Sequence, residues 1–200
     1  MGTDMSETDP SKRETDAKEV WQLEKNARKT QEAAKELFPN EKFISDMAEA
    51  QPNNKFAEGV AIPKNVKVAQ SRIPINTSQR DILRKELRQA EILAKLGSSV
   101  YLTPERALYK ERPKDAIVNG ASFEFRNITG TVKKIEQKFG DAKGKGDDVN
   151  VYLHLDMDAT VNEARRRIGL VLGRHPEYTG TIIVSTKDGQ VYFWDSASFG

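Results

Sequence analysis

The sequence contains no cysteine, which excludes a disulfide framework and any thiolate metal site. No apolar run approaches the ~20 residues that a membrane-spanning helix needs. The polar amino terminus lacks the apolar core of a secretory signal. A soluble product is expected, one that leaves the cell only if something else carries it. Histidine occurs only at His154 and His175, and neither has a spacing that signals zinc. No phosphate-binding glycine loop leads into a helix, because Gly140, Gly144 and Gly146 follow a helical pattern and precede a strand pattern. No nucleophile elbow occurs.

What remains is a polar chain of 200 residues, 37% apolar and 31% charged. That suits one domain of ordinary size with an appendage. Residues 1–78 hold 12 basic and 13 acidic side chains, and residues 79–200 hold 20 and 17, so the basic excess lies in the second part.

The amino-terminal part carries weak patterning. Residues 1–16 are Ser/Thr-rich and charged, and disorder is expected. Residues 17–50 read as a helical arm. Val20, Leu23, Ala27, Ala34 and Leu37 trace an irregular stripe, Pro39-Asn40 breaks it, and a shorter helix carries Phe43, Ile44 and Met47. Residues 51–78, with Pro52, Pro63 and Pro74, read as an extended linker holding at most a strand at Val66 to Val68.

From residue 79 the periodicity is clear. Ser78 and Asp81 have the form of a capping box, and Leu83, Leu87, Ala90 and Ala94 recur at helical spacing up to Gly97. A strand at Ser99–Leu102 follows. Ala116–Val118 and Phe123–Arg126 flank Asn119-Gly120, the pattern of a tight hairpin. Thr131–Phe139 is an amphipathic helix and Val149–Leu155 an alternating strand. Val161–Gly173 is a helix, and Thr181–Ser185 with Gln190–Trp194 closes the chain as a second hairpin. This order predicts an α/β fold, a mixed β-sheet flanked by helices.

The first hairpin carries the chemistry. Alternation puts Phe123 and Phe125 on one face and Glu124 and Arg126 on the other, with Asp115 at the far end of the partner strand. Two carboxylates and a cation converging at a sheet edge suit a divalent metal acting on a phosphodiester. The ordinary alternative is a solvated face with cross-strand charge pairing. Lys133, Lys134 and Lys138, together with Arg165, Arg166 and Arg167, are either solvated helix faces or phosphate contacts. Trp21 and Trp194 are simplest as packing residues.

The order helix–strand–strand–strand–helix–strand, with Asp115 at the second strand and Glu124-x-Arg126 at the third, resembles the PD-(D/E)xK nuclease core. Over residues 80–195 the chain resembles, more specifically, the C-terminal toxin domain of CdiA-type contact-dependent growth inhibition proteins. The residues that carry the likeness are Glu86, Ala90, Leu93-Ala94, Gly97, Val100, Leu102, Pro104-Glu105, Lys114-Asp115, Asn119-Gly120, Phe123-Glu124 and Lys187-Asp188-Gly189.

The resemblance implies a toxin-type endoribonuclease cleaving structured RNA, with tRNA the expected substrate and residues 79–200 as the nuclease domain. It implies an acidic cluster of Glu86, Glu105, Asp115 and Glu124, with Arg126 and Lys134 near the phosphate. Asp115 and Glu124 would bind a divalent metal ion, Mg²⁺ or Zn²⁺. It also implies delivery by another protein, action in the bacterial cytoplasm and an immunity protein, for which an acidic partner fits the basic excess. Two departures stand out: Lys85 where relatives often have His, and Arg126 where the pattern has Lys. A guanidinium binds phosphate but does not shuttle protons. A non-catalytic nucleic-acid-binding or structural module of a phage or mobile element, and a DNA endonuclease, are the alternative readings.

Overall fold

The computed structural model describes residues 10–105 and 113–199. One eight-stranded sheet runs through the molecule, with its strands in sequence order. The strands are β1 (Phe43–Ile44), β2 (Val66–Ala69), β3 (Val100–Leu102), β4 (Ala116–Val118), β5 (Ala121–Ile128), β6 (Asn150–Leu155), β7 (Ile182–Ser185) and β8 (Val191–Trp194). The helices are α1 (Pro10–Leu37), α2 (Met47–Ala50), α3 (Thr77–Ala94), α4 (Lys133–Lys143) and α5 (Val161–Arg174). The mixed α/β architecture read from the sequence is the one found. Three crossovers, through α3, α4 and α5, join the parallel pairs β2–β3, β5–β6 and β6–β7. The remaining neighbours are antiparallel.

Strand alternation divides the apolar residues between two faces. Val100, Leu102, Ala116, Val118, Phe123, Phe125 and Tyr152 point to the face covered by α3, through Leu83, Leu87, Ala90 and Leu93. On the opposite face two clusters form. Tyr101 and Ile117 meet Ala34 of α1 and Phe38 just after it, while Val151, Leu153 and Leu155 meet Ile135 and Phe139 of α4 and Ala164 and Ile168 of α5. Removing these side chains from water is the main driving force, at ~1.5–3 kcal/mol for each large one.

The amino-terminal expectations need correction. Helix α1 begins at Pro10, inside the stretch expected to be disordered; residues 1–9 lie outside the described residues. The helix expected over the first part of the arm is found within α1 and the strand expected at Val66–Val68 is β2, but Phe43–Ile44 of the expected second helix forms β1, and the linker is built into the sheet, β1 pairing with β2 and β2 with β3. Helix α1 packs against β3 and β4. Its docking stripe is Asn26, Thr30, Ala34 and Phe38 at i, i+4 spacing. Half of that stripe is polar, so apolar periodicity does not reveal it, and the predicted stripe residue Leu37 is exposed. Thr30 Oγ1 donates to Ser99 O and accepts from Gly120 N, and Asn26 Nδ2 donates to Gly97 O. Trp21, taken as a packing residue, is exposed under the ammonium of Lys25.

Smaller differences follow from local chemistry. The N-cap of α3 is Asn76, whose side chain accepts from Gln79 N, rather than Ser78. Helix α4 continues past Gly140 to Lys143 because Ala142 is buried against the core. The hairpin turn forms as read: Asn119 and Gly120 both have positive φ, 50° and 91°, the pairing a two-residue turn of this twist requires.

Candidate active site

Strand β4 starts at Ala116, where it pairs with Phe123, while β5 runs on to Ile128. Among the described residues the second half of β5 therefore has β6 on one side and no strand partner on the other. Asp115 fills the first step of that notch. Its Oδ2 accepts the Phe125 backbone N–H at 2.8 Å, doing for β5 what a strand carbonyl would have done. Glu124 lies opposite it on β5 with no exposed surface. On this face α1 covers β3 and β4, while α4 and α5 cover β6 and β7, leaving the acidic pair between two helical covers.

Two cations meet the carboxylates. Arg126 Nη1 donates to Asp115 Oδ2 at 3.3 Å, to Glu124 Oε2 at 3.0 Å and to the Phe125 carbonyl at 2.7 Å. Lys145 Nζ donates to Glu124 Oε2 at 2.8 Å. A second ion pair stands beside them, joining Glu86 of α3 to Arg72 in the turn of 3-10 helix that follows β2. Arg72 also donates to Thr103 O, and Gln89 Nε2 donates to Arg126 O, tying α3 to the notch. Three acids and three bases thus balance locally. Glu124 Oε1 is buried and has no hydrogen-bond partner among the described residues.

The electrostatics separate the two carboxylates. Burial pushes the Asp115 carboxyl up to about 6, and the charges of Glu124 and Glu86 add to the rise; the Phe125 N–H and Arg126 only partly oppose it. Burial would raise Glu124 as well, but the Lys145 ammonium and the Arg126 guanidinium hold it below the usual carboxylate range. One acid is poised near neutrality while its neighbour stays ionised, a division of roles typical of acid–base and metal sites.

Of the residues singled out in the sequence, Asp115, Glu124 and Arg126 come together. Glu86 joins electrostatically, with its own carboxylate committed to Arg72. Glu105 does not join: it is exposed and makes no ion pair among the described residues. Lys133 and Lys134 are exposed, and Lys134 reaches Gln137; Lys138 is half-buried. Arg165 is exposed, with its guanidinium over Trp194 and Phe199 and donating to Ser198 O. Arg166 is exposed, and Arg167 pairs with Glu136. Sequence reading missed Lys145 and Arg72. The signal for Lys145 was its place in a short glycine-flanked loop, Gly144-Lys145-Gly146, following a helix that packs on β5 and β6.

The donor chemistry bears on a metal. Among the described residues no group of three or more acidic or imidazole side chains is arranged to hold one. The paired carboxylates with an unpartnered oxygen nonetheless fit a hard divalent cation, which binds through one or two carboxylates and completes its shell with water and phosphate. They fit zinc less well, because its preferred nitrogen and sulfur ligands are missing from this face.

No family model matches the chain, and no curated protein matches it. Among solved structures it is similar to a chain of a CdiA-CT/CdiI toxin and immunity complex from Burkholderia pseudomallei, with 24% identity over 60% of this chain and 89% of that chain, at a TM-score of 0.47.

Proposed function

We propose that the protein is a metal-assisted endoribonuclease of the bacterial toxin type, acting on structured RNA of the tRNA class. The observation that carries this reading is the notch itself: Asp115 and Glu124 converge with Arg126 and Lys145 where β4 stops and β5 continues. The ordered motifs of residues 80–195 supply the toxin resemblance. Asp115 and Glu124 would hold a divalent cation, Mg²⁺ by donor preference, which when bound supplies Lewis-acid polarisation of the scissile phosphate. Arg126 and Lys145 neutralise the carboxylates in its absence and are free to turn toward a phosphodiester once the carboxylates have another counter-ion. Arg126 stabilises phosphate charge through its planar fork. Lys145 supplies the ammonium that an arginine at position 126 does not. Glu86, held by Arg72, keeps negative potential on Asp115.

The partner would be an acidic immunity protein, and another protein would deliver the toxin to a bacterial cytoplasm. Among the described residues no helix is long and apolar enough to cross a membrane. The test is incubation of the purified chain with tRNA and with plasmid DNA, with and without chelator. Cleavage of tRNA that chelator abolishes, and that Asp115→Asn and Glu124→Gln each remove without unfolding the protein, is the expected result. Cleavage retained by both variants sinks the assignment, and cleavage of plasmid alone moves it to DNA.

One observation favours a second reading, a nucleic-acid-binding module without catalysis. Arg126 already bridges both carboxylates, as a structural ion pair would. Expression of the whole chain in bacteria separates the two, since the nuclease arrests growth and the binding module does not.

A further inference from the structure

A second cluster lies at the carboxyl ends of the parallel strands β5, β6 and β7, on the α3 side of the sheet. His154 of β6 donates or accepts through Nδ1 to Ser185 Oγ of β7 at 2.7 Å. Ser185 Oγ lies 2.8 Å from Tyr152 Oη, and Tyr152 Oη lies 3.1 Å from the Gln89 carbonyl of α3. Ser185 and Tyr152 are fully buried, while His154 is partly exposed.

The proton positions follow from counting. A carbonyl only accepts, so the Tyr152 hydroxyl proton points to Gln89. Tyr152 then accepts from Ser185, whose proton is thereby used, and Ser185 accepts from His154 Nδ1–H. Reversing the chain leaves two oxygens 3.1 Å apart with no proton between them. The ring is therefore held with its proton on Nδ1, and Nε2 presents a lone pair.

The charged groups that face the ring come from two elements. Arg88 of α3 disfavours the imidazolium and Asp156, just after β6, favours it, with burial the largest influence and the net direction toward the neutral form. Arg88 is exposed and also lines a neighbouring cavity of about 520 Å³ with Arg84 and Lys85 and with the carboxylates Asp81 and Glu91, a cavity that His154 does not line. Carboxyl ends of parallel strands are where α/β sheets bind ligands. The cluster is distinct from the acidic notch: Asn127 pairs with His154 and Glu124 with Val151, a separation of ~10 Å along the strand and opposite faces of the sheet.

We propose that this end of the sheet is a nucleotide subsite, in which His154 Nε2 accepts a hydrogen bond from a sugar hydroxyl or a base amine while Arg88 pairs with the adjoining phosphate. The choice of a nucleotide rests on the nuclease reading above. It extends that reading to a nucleotide held away from the carboxylates.

Imidazole nitrogen NMR on the whole chain, in chelator, with adenosine monophosphate as the probe, tests it. Adenosine monophosphate has no internucleotide bond, so the readout is independent of cleavage, and loss of nuclease activity leaves it intact. The expected results are an Nδ1–H tautomer in the free protein, a shift of Nε2 on adding millimolar probe, and affinity reduced about ten-fold or more by Arg88→Ala, the effect of losing one charge-assisted contact. Ser185→Ala should release the tautomer into a mixture with the fold kept. An Nε2–H tautomer, an unmoved Nε2, or the same Nε2 shift with inorganic phosphate alone overturns the proposal.

Discussion

Asp115 and Glu124 share a single nitrogen: Arg126 Nη1 donates to one oxygen of each, at 3.3 and 3.0 Å. The two carboxylates nevertheless sit on opposite sides of their ordinary ionisation range. Burial and the charges of Glu124 and Glu86 raise Asp115, while Lys145, which pairs with Glu124, offsets the burial of that carboxylate.

That asymmetry has a pH consequence. The Asp115 carboxyl moves from 3.8 to about 6 on folding, so the folded state binds the extra proton more tightly than the unfolded one. Its contribution is therefore fully present below about pH 4 and is lost as pH rises through 6. With the side chain 22% exposed, the loss is at most about 3 kcal/mol. Asp115→Asn keeps an oxygen for the Phe125 N–H and removes the titration. Relative to wild type, this variant should gain stability between pH 4.5 and 7.5. Melting both proteins at the two pH values checks it, and a constant gap means that Asp115 titrates normally.

Arg126→Ala and Lys145→Ala should differ in kind. Removing Arg126 leaves two buried carboxylates facing each other with one cation and also frees the Phe125 carbonyl. A loss of about 3–5 kcal/mol is expected, as for other broken buried pairs. Lys145 lies on a turn and leaves Glu124 with Arg126, so its loss should cost about 1–3 kcal/mol while raising the Glu124 carboxyl. Under the nuclease reading Lys145→Ala folds and cleaves poorly. Equal destabilisation by both variants in chemical denaturation contradicts this division.

How much of this was legible in the sequence divides at residue 78. The elements beyond it show clean periodicity, and Phe123/Phe125 against Glu124/Arg126 assigned the faces of β5 correctly because one face is apolar. Convergence of Asp115 with Glu124 followed from the Asn119-Gly120 turn, which sets the register. Lys145 was not legible, because its contact depends on where α4 ends, and that depends on the burial of Ala142. The His154–Ser185–Tyr152 chain was equally hidden, for it joins two strands and a helix that only the sheet order brings together.

The hairpin turn should be intolerant of a side chain at position 120. Gly120 has φ of 91°, a conformation that residues with a Cβ avoid, and an added Cβ would sit 3.1 Å from Lys29 Cβ of α1. Gly120→Ala should therefore destabilise by more than the ~1 kcal/mol of an open turn, because α1 must lift and stretch the bond from Gly120 N to Thr30 Oγ1. Thr30→Val removes that acceptor and the donor to Ser99 O and is expected to cost about 1–3 kcal/mol. Adding the two changes in a double variant should cost less than their sum, since both act by loosening α1. Strict additivity in thermal melts argues that α1 is not the shared element.

Deleting residues 1–78 tests whether the amino-terminal part is an appendage. The deletion removes β1 and β2, baring the edge of β3, and strips α1 from Tyr101 and Ile117. It also removes Val66, Val68 and Ile73 from the cluster under α3 and Arg72 from Glu86. Exposing several large apolar side chains at ~1.5–3 kcal/mol each rivals the ~5–15 kcal/mol that holds a domain together. Residues 79–200 alone should therefore show no cooperative melt. A cooperative transition for the 79–200 fragment within a few degrees of full length would establish the earlier residues as an independent arm, despite the two strands they lend to the sheet.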